Sequence, residues 1–315
     1  MDFGEVIVGA GQAAVEDVMT LGYHRFGEAV DPVEAGRLLG DIRALRRFDG
    51  TLFLSEAEFD ADPQYTGVNP APGRNLLERF EHRLGFVEAD PGVTDAMTAL
   101  LGPGYEVLNK KLVCGVPERA IPDWLKRRIR GNPVNNLGAY VRPEFRDITY
   151  FYGIDFHQDL IDYKEREADF LTLYIYLHPV SRHDAPLFLL EGSHRFGGTV
   201  FPHDLKPEPE GFWTYGDGRG QEQRARQVML TGGTGFAACW HACTLHGTQP
   251  DEADHERVSL RYLLAKRGGC RTGIDRINGM IDGPLSLSST RVDLNEHGAA
   301  RLKANSVNGV SDVGS

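Results

Sequence analysis

The chain has 315 residues, 41% of them hydrophobic, enough to bury one large core or two small ones. Its formal net charge is −11, which argues against a general binder of nucleic acid or of anionic membranes. No apolar run approaches the roughly 20 residues a spanning helix needs, and Met1-Asp2-Phe3-Gly4-Glu5 lacks the basic start of a secretory signal, so a cytoplasmic protein is expected.

Residues 1–104 read as helix-rich. Gly9-Ala10-Gly11-Gln12-Ala13-Ala14 follows Val6-Ile7-Val8 and imitates a dinucleotide fingerprint, but no βαβ repeat follows it. Asp31 suits an N-cap, with Pro32 at the first helical position; Val33, Leu38, Leu39, Ile42 and Leu45 form an apolar stripe. Residues 51–75 carry Asp, Pro and Gly and read as loop. Further helices are predicted near Asn75–Leu84 and Val93–Leu101, the latter stopped by Gly102-Pro103-Gly104. Tyr105–Val116 then reads as strand. Residues 117–147 are irregular and hold Trp124 and the run Lys126-Arg127-Arg128-Ile129-Arg130, read as a solvated helix face or as part of a lid. Short strands follow at Phe170–Leu177, Pro186–Leu190, Arg226–Leu230, Gly235–Trp240 and Arg257–Leu264, separated by turns. That spacing predicts a mainly β jelly roll with flanking helices. Thr231-Gly232-Gly233-Thr234-Gly235 has no phosphate-loop lysine and reads as a tight turn. After Gly268 the chain turns polar and Gly/Ser-rich, partly coil.

The chemistry gathers at His157-Gln158-Asp159. On a strand, period-two alternation would put His157 and Asp159 on one face. With a distant histidine they would form a 2-His-1-carboxylate triad, which holds one face of a metal and leaves the opposite positions open. His246 is the preferred third ligand and His241 its rival; Thr248 lies two residues beyond His246, and Arg257 eleven beyond. An arginine at Arg257 can grip a carboxylate bidentately. Arg261, on the same strand face, suits a structural salt bridge. His178, His183, His194, His203 and His255 fall in loops or at strand ends, where surface or turn roles are the default. Cys239 and Cys243 flank His241 closely enough to raise a zinc site, but none of the four cysteines forms a Cys-x-x-Cys pair. Reduced, mostly buried thiols suit them better.

Taken together these stretches resemble the phytanoyl-CoA dioxygenase family of Fe(II)/2-oxoglutarate oxygenases over most of residues 15–265. The matching elements are His157-Gln158-Asp159-Leu160, Pro186-Leu187-Phe188-Leu189-Leu190-Glu191-Gly192-Ser193-His194, Gly235-Phe236 through Leu245-His246-Gly247-Thr248, Arg257, and Leu21-Gly22-Tyr23. Ala185 and Glu191 depart from the family's Gly and Pro. The resemblance implies a double-stranded β-helix core at 105–268 within a single oxygenase domain, 1–268, bearing an insertion or lid at 117–147, with 269–315 as an extension. It implies Fe(II) on His157, Asp159 and His246, and 2-oxoglutarate on Arg257, with Thr248, Tyr174 and Lys111 lining its pocket. O2 and 2-oxoglutarate would be consumed, giving succinate, CO2 and most simply a hydroxylated small molecule of bacterial secondary metabolism. Asp159, where related halogenases carry Gly or Ala, favours oxygenation over halogenation. No nucleic-acid or membrane partner is expected. The competing expectations are a cupin-like metal isomerase or hydrolase that does not use 2-oxoglutarate, and a nucleotide-binding oxidoreductase built on Gly9 and Gly11.

Overall fold

Alternation governs the second half of the chain. The computed structural model describes residues 9–27, 30–61, 74–163, 166–287 and 292. Its strands are β1 (Tyr23–Arg25), β2 (Glu106–Gly115), β3 (Val134–Asn136), β4 (Thr149–His157), β5 (Phe170–Tyr176), β6 (Leu187–Leu190), β7 (Asp204–Pro207), β8 (Phe212–Gly216), β9 (Glu222–Leu230), β10 (Ala237–His241), β11 (His246–Thr248) and β12 (Arg257–Ala265). They follow the order β1-β10-β5-β12-β2-β4-β11-β6-β9-β8-β7, with β3 paired to β4. The neighbours β2 and β4 run parallel; the other strand pairs are antiparallel. The architecture is the expected jelly roll, a double-stranded β-helix with helices on one flank.

The helices are α1 (Ala10–Leu21), α2 (Pro32–Leu45), α3 (Glu56–Ala61), α4 (Gly85–Glu88), α5 (Pro91–Leu101), α6 (Asp123–Ile129) and α7 (Gly273–Asn278). Leu171, Leu173 and Ile175 of β5, Val258, Leu260 and Tyr262 of β12, and Leu112 and Cys114 of β2 share one core with Val15, Leu38, Ile42 and Leu100 of the helices. The alternate residues, Thr172, Tyr174, Tyr176, Arg257, Ser259, Arg261, Lys111 and Val113, therefore face the other way, into the roll.

Most predicted elements are present, with instructive differences. Asp31 caps α2 by accepting from the Val33 and Glu34 amides, but the predicted stripe is too long at both ends: Val33 and Leu45 are 58% and 51% exposed. Part of the loop predicted at 51–75 is α3; 62–73 lie outside the described residues. The helix at Leu76–Arg83 is 3-10 rather than α, capped by Asn75. The hairpin β7–β8 was not signalled, because its residues are largely polar and exposed along β7. Gly11 sits inside α1, where an added Cβ would stand 2.8 Å from Asp95 O. Close packing on α5 accounts for that glycine, and no βαβ unit surrounds it; Val6–Val8 lie outside the described residues. Gly232 and Gly235 belong to a turn bonded back to Val180 and Tyr176. Beyond Gly268 the chain still adds to the fold: Thr272 and Asp275 form a capping box for α7, whose Ile274 and Ile277 enter the helical core. The last residues of the chain, from 293 on, lie outside the described residues. No helix among the described residues is long and apolar enough to cross a membrane.

Candidate active site

The two histidines meet through strand register. His157 ends β4, His246 opens β11, and the two are paired in the antiparallel ladder. Their rings lie 4.2 Å apart, centroid to centroid. Asp159 joins them by a different route from the predicted alternation within one strand. It opens a 3-10 turn, Asp159–Asp162, and the extended Gln158 before it (φ −108°, ψ 140°) keeps it on the same side. One ligand atom from each of His157, Asp159 and His246 lies within 4.8 Å of the others, the one such grouping of His, Cys, Asp and Glu among the described residues.

Hydrogen bonds fix how each ligand is presented. His157 Nδ1 lies 3.0 Å from Asp155 O, and His246 Nδ1 lies 3.0 Å from Thr244 O. A carbonyl only accepts, so each Nδ1 carries the proton and each Nε2 keeps its lone pair. Burial pushes both imidazoles to low pKa, which keeps them neutral. Burial works against ionised Asp159, but the Arg261 guanidinium, with help from the Thr172 hydroxyl, outweighs it and holds the carboxyl well below the usual carboxylate range. Asp159 Oδ2 accepts from Thr172 Oγ1 at 2.5 Å and from Trp240 Nε1 at 3.0 Å. Oδ1 lies 3.6 Å from His246 Nε2 and accepts from the Arg261 guanidinium. Two neutral imidazoles and one ionised carboxylate are the donor set a divalent first-row metal takes, so the residues fit such an ion.

A cavity of about 140 Å³ opens beside this group. Lys111, Tyr174, Trp240, Thr248 and Arg261 are on its wall, as are Val134 and Asn136 from the predicted insertion. Arg257 lies behind that wall, its guanidinium 4.9 Å from the Phe151 ring and 5.7 Å from that of Tyr174. It is completely buried, and none of its three nitrogens has a hydrogen-bond partner. Ser259 Oγ and the Tyr174 hydroxyl are buried and unpartnered as well. A buried guanidinium without an acceptor is costly, and a carboxylate is the group whose geometry satisfies it. Thr248 Oγ1 donates to Ala185 O at 2.9 Å, so toward the cavity it can only accept. Ala185 holds that carbonyl in place from a left-handed conformation (φ 47°), one that glycine adopts more readily. Lys111 stands opposite Arg261 in the β2–β12 register; burial and the Arg261 charge push its ammonium down to about 8.

The remaining sequence candidates separate from the site. His241 is buried at the end of β10, its Nε2 against Asn278 Oδ1 and its Nδ1 accepting from the Cys243 amide. Cys114, Cys239 and Cys243 are free buried thiols and Cys270 is a free exposed one. His183 and His255 are exposed; His178, just past the end of β5, His194, in a 3-10 turn, and His203, in the loop before β7, take the turn and loop positions expected, with His178 and His194 buried there. Burial pushes His178 to about 4 and His194 and His203 to about 3. The basic run is a solvated face of α6, with Arg127 and Arg128 paired to Glu56 and Asp60. Arg261 makes the predicted buried salt bridge, and its partner is the Asp159 carboxylate of the three-residue cluster. The family-like segments Leu21-Gly22-Tyr23 and Glu191-Gly192-Ser193-His194 meet in space. Gly192 N donates to Leu21 O, and Tyr23 Oη to Glu191. Ser193 Oγ accepts from Leu245 N, one residue before His246. Thr172, Trp240 and Ser259 were missed; a threonine and an indole inside otherwise apolar strands were the available signal.

No protein-family model matches the chain. A 115-residue stretch is 31% identical to a probable alpha-ketoglutarate-dependent hypophosphite dioxygenase from Stutzerimonas stutzeri. The match covers 35% of this chain and 38% of that protein. Among solved structures, the epimerase SnoN in complex with Fe3+, alpha-ketoglutarate and nogalamycin RO aligns over 93% of this chain and 96% of its own, at 14% identity and a TM-score of 0.50. The alpha-ketoglutarate-dependent carbocyclase SnoK aligns over 87% and 92%, at 13% identity and 0.48. At 14% identity the likeness to SnoN is one of fold.

Proposed function

We propose that this chain is a non-haem Fe(II)/2-oxoglutarate-dependent dioxygenase, similar to the phytanoyl-CoA dioxygenases, that hydroxylates a small molecule. The observation that carries the reading is the pairing of a three-ligand cluster, both imidazoles locked with Nε2 free, with an orphaned buried guanidinium at Arg257. The similarity of a 115-residue stretch to the probable alpha-ketoglutarate-dependent dioxygenase of Stutzerimonas supports it. In this reading His157, Asp159 and His246 hold the metal, and Arg257 takes the far carboxylate of 2-oxoglutarate. Ser259 and the Tyr174 hydroxyl supply the polar contacts they lack elsewhere, with Thr248 and Lys111 beside them. The bound metal supplies O2 activation coupled to decarboxylation of the cosubstrate to succinate and CO2. The protein's part is to keep the imidazoles neutral and Asp159 ionised, and to shield the reacting volume with Val134, Ile154 and Ile161. One oxygenase domain carries the site and includes α7 beyond Gly268, with 117–147 bordering the substrate entrance. Free buried thiols suit a reducing cytoplasm, and the fold's relatives suit bacterial secondary metabolism. A metal isomerase or hydrolase without 2-oxoglutarate leaves the unpaired Arg257 unexplained.

The test is anaerobic titration with Fe(II) and then 2-oxoglutarate, following the weak visible metal-to-ligand charge-transfer band in wild type and in Arg257→Ala. A band in wild type that is lost or weakened in the variant is expected. A folded, iron-loaded wild type that shows no band would refute the assignment.

A further inference from the structure

Asp159 Oδ1 faces two groups at once. It points to the side shared with His246 Nε2, 3.6 Å away, and the Arg261 guanidinium donates to that same atom. The other oxygen is already taken by Thr172 and Trp240. Oδ1 is therefore the oxygen a metal would use, and Arg261 occupies it. A second carboxylate, Asp162, lines the same cavity and lies near enough to attract the Arg261 charge. Arg261 also lies on the cavity wall rather than locked behind it, so its side chain has space into which to move.

We infer that Arg261 competes with the metal for Asp159 Oδ1, holding the carboxylate charged and in place until an ion arrives and then turning toward Asp162. This rests on the metal assignment above. Arg261 is a positioning residue, acting through Asp159. Two consequences separate this from a simple structural salt bridge. A guanidinium beside a divalent ion is a like-charge neighbour, so its presence weakens metal binding. Its removal does not loosen the ligand, because Thr172 and Trp240 still orient Asp159. Metal-free protein, by contrast, is left with a buried uncompensated carboxylate and is destabilised until metal binds.

Co(II) is a suitable probe, titrated anaerobically into wild type, Arg261→Met and Arg261→Lys by calorimetry, with thermal unfolding recorded with and without the ion. Arg261→Met is expected to melt lower than wild type without Co(II), to bind Co(II) about tenfold tighter or more, and to show a larger Co(II)-induced rise in Tm. Arg261→Lys, which keeps the charge, stays within about threefold of wild type. Equal or weaker Co(II) binding by Arg261→Met, or equal loss of Tm with and without Co(II), overturns the inference while leaving the metal site intact. Should Arg261→Met fail to fold, Asp162→Asn decides: removing the second resting place should weaken Co(II) binding about threefold or more, and unchanged affinity overturns the inference. Wild type that binds no Co(II), or binds it equally after His246→Ala, removes the metal assignment and this inference with it.

Discussion

Replacing Thr172 by valine isolates one hydrogen bond. The residue is fully buried on β5, and its hydroxyl donates to Asp159 Oδ2 at 2.5 Å. Valine has the same shape, so packing against β10 and β12 is kept and no cavity opens. What is lost is a bond to an ionised group, worth about 1.5–3 kcal/mol. Trp240 still donates to the same oxygen, so the carboxylate is not orphaned, and the expected loss of stability is about 2 kcal/mol. Supports of this kind behind a metal ligand typically cost about 10–100-fold in affinity when removed, which is about 1.4–2.7 kcal/mol. The two losses are separate free energies: the first is the bond's worth in the metal-free fold, the second the extra cost of a less well oriented carboxylate when the metal binds. Urea unfolding of the metal-free protein and Co(II) titration give the two numbers independently. A double-mutant cycle with Trp240→Phe should be non-additive, since both donors serve one oxygen. Stability within about 0.5 kcal/mol of wild type together with Co(II) affinity within about threefold would show that Asp159 is held by something other than its Oδ2 partners.

Gly247 lies between His246 and Thr248, and an added Cβ would stand 2.5 Å from both Ile154 O and Phe188 Cε2. Gly247→Ala should cost about 3 kcal/mol in urea unfolding and displace His246, so wild-type stability would contradict the close approach of β4, β11 and β6. Asp251 is buried with Oδ2 unpartnered, and burial pushes its carboxyl from 3.8 up to about 7. The folded state then binds the proton more tightly than the unfolded one between those pH values. Its contribution therefore weakens stability progressively as pH rises from about 4 to 7, by up to about 4 kcal/mol. Asp251→Asn should stabilise the protein at pH 8 and leave it nearly unchanged near pH 4; equal effects at both would reject the burial argument. Neutralising Lys126 and Arg127 should change stability by less than about 0.5 kcal/mol, because both sit on an exposed helix face, and a larger loss in thermal melts would assign α6 a structural role.

Local chemistry is what the sequence carries, and it was legible wherever a signal is local. The Asp31 cap with Pro32, the helix read at Val93–Leu101 (Pro91–Leu101 in the structure) and the alternating apolar strands follow from capping bonds and periodic burial that involve only near neighbours. His157, Asp159, His246 and Arg257 were visible because their spacing and residue types are unusual together. The reason first given for bringing His157 and Asp159 together, however, was strand alternation, and the chain achieves it by a turn. Only the tertiary structure decided which histidine joins them. His241 and His246 are five residues apart, and the β4–β11 register selects His246 while β10 buries His241 against Asn278. Register is a property of two strands 89 positions apart, set by how the whole roll closes, and no short window encodes it. The same holds for Thr172, Trp240 and Arg261. Each comes from a different strand, and they converge on Asp159 because β10, β5 and β12 are neighbours whose alternate residues all point into the roll. Burial then completes the site: low dielectric keeps the histidines neutral, makes the Arg261 pair strong, and leaves Arg257 without an acceptor, none of which a residue's identity states by itself.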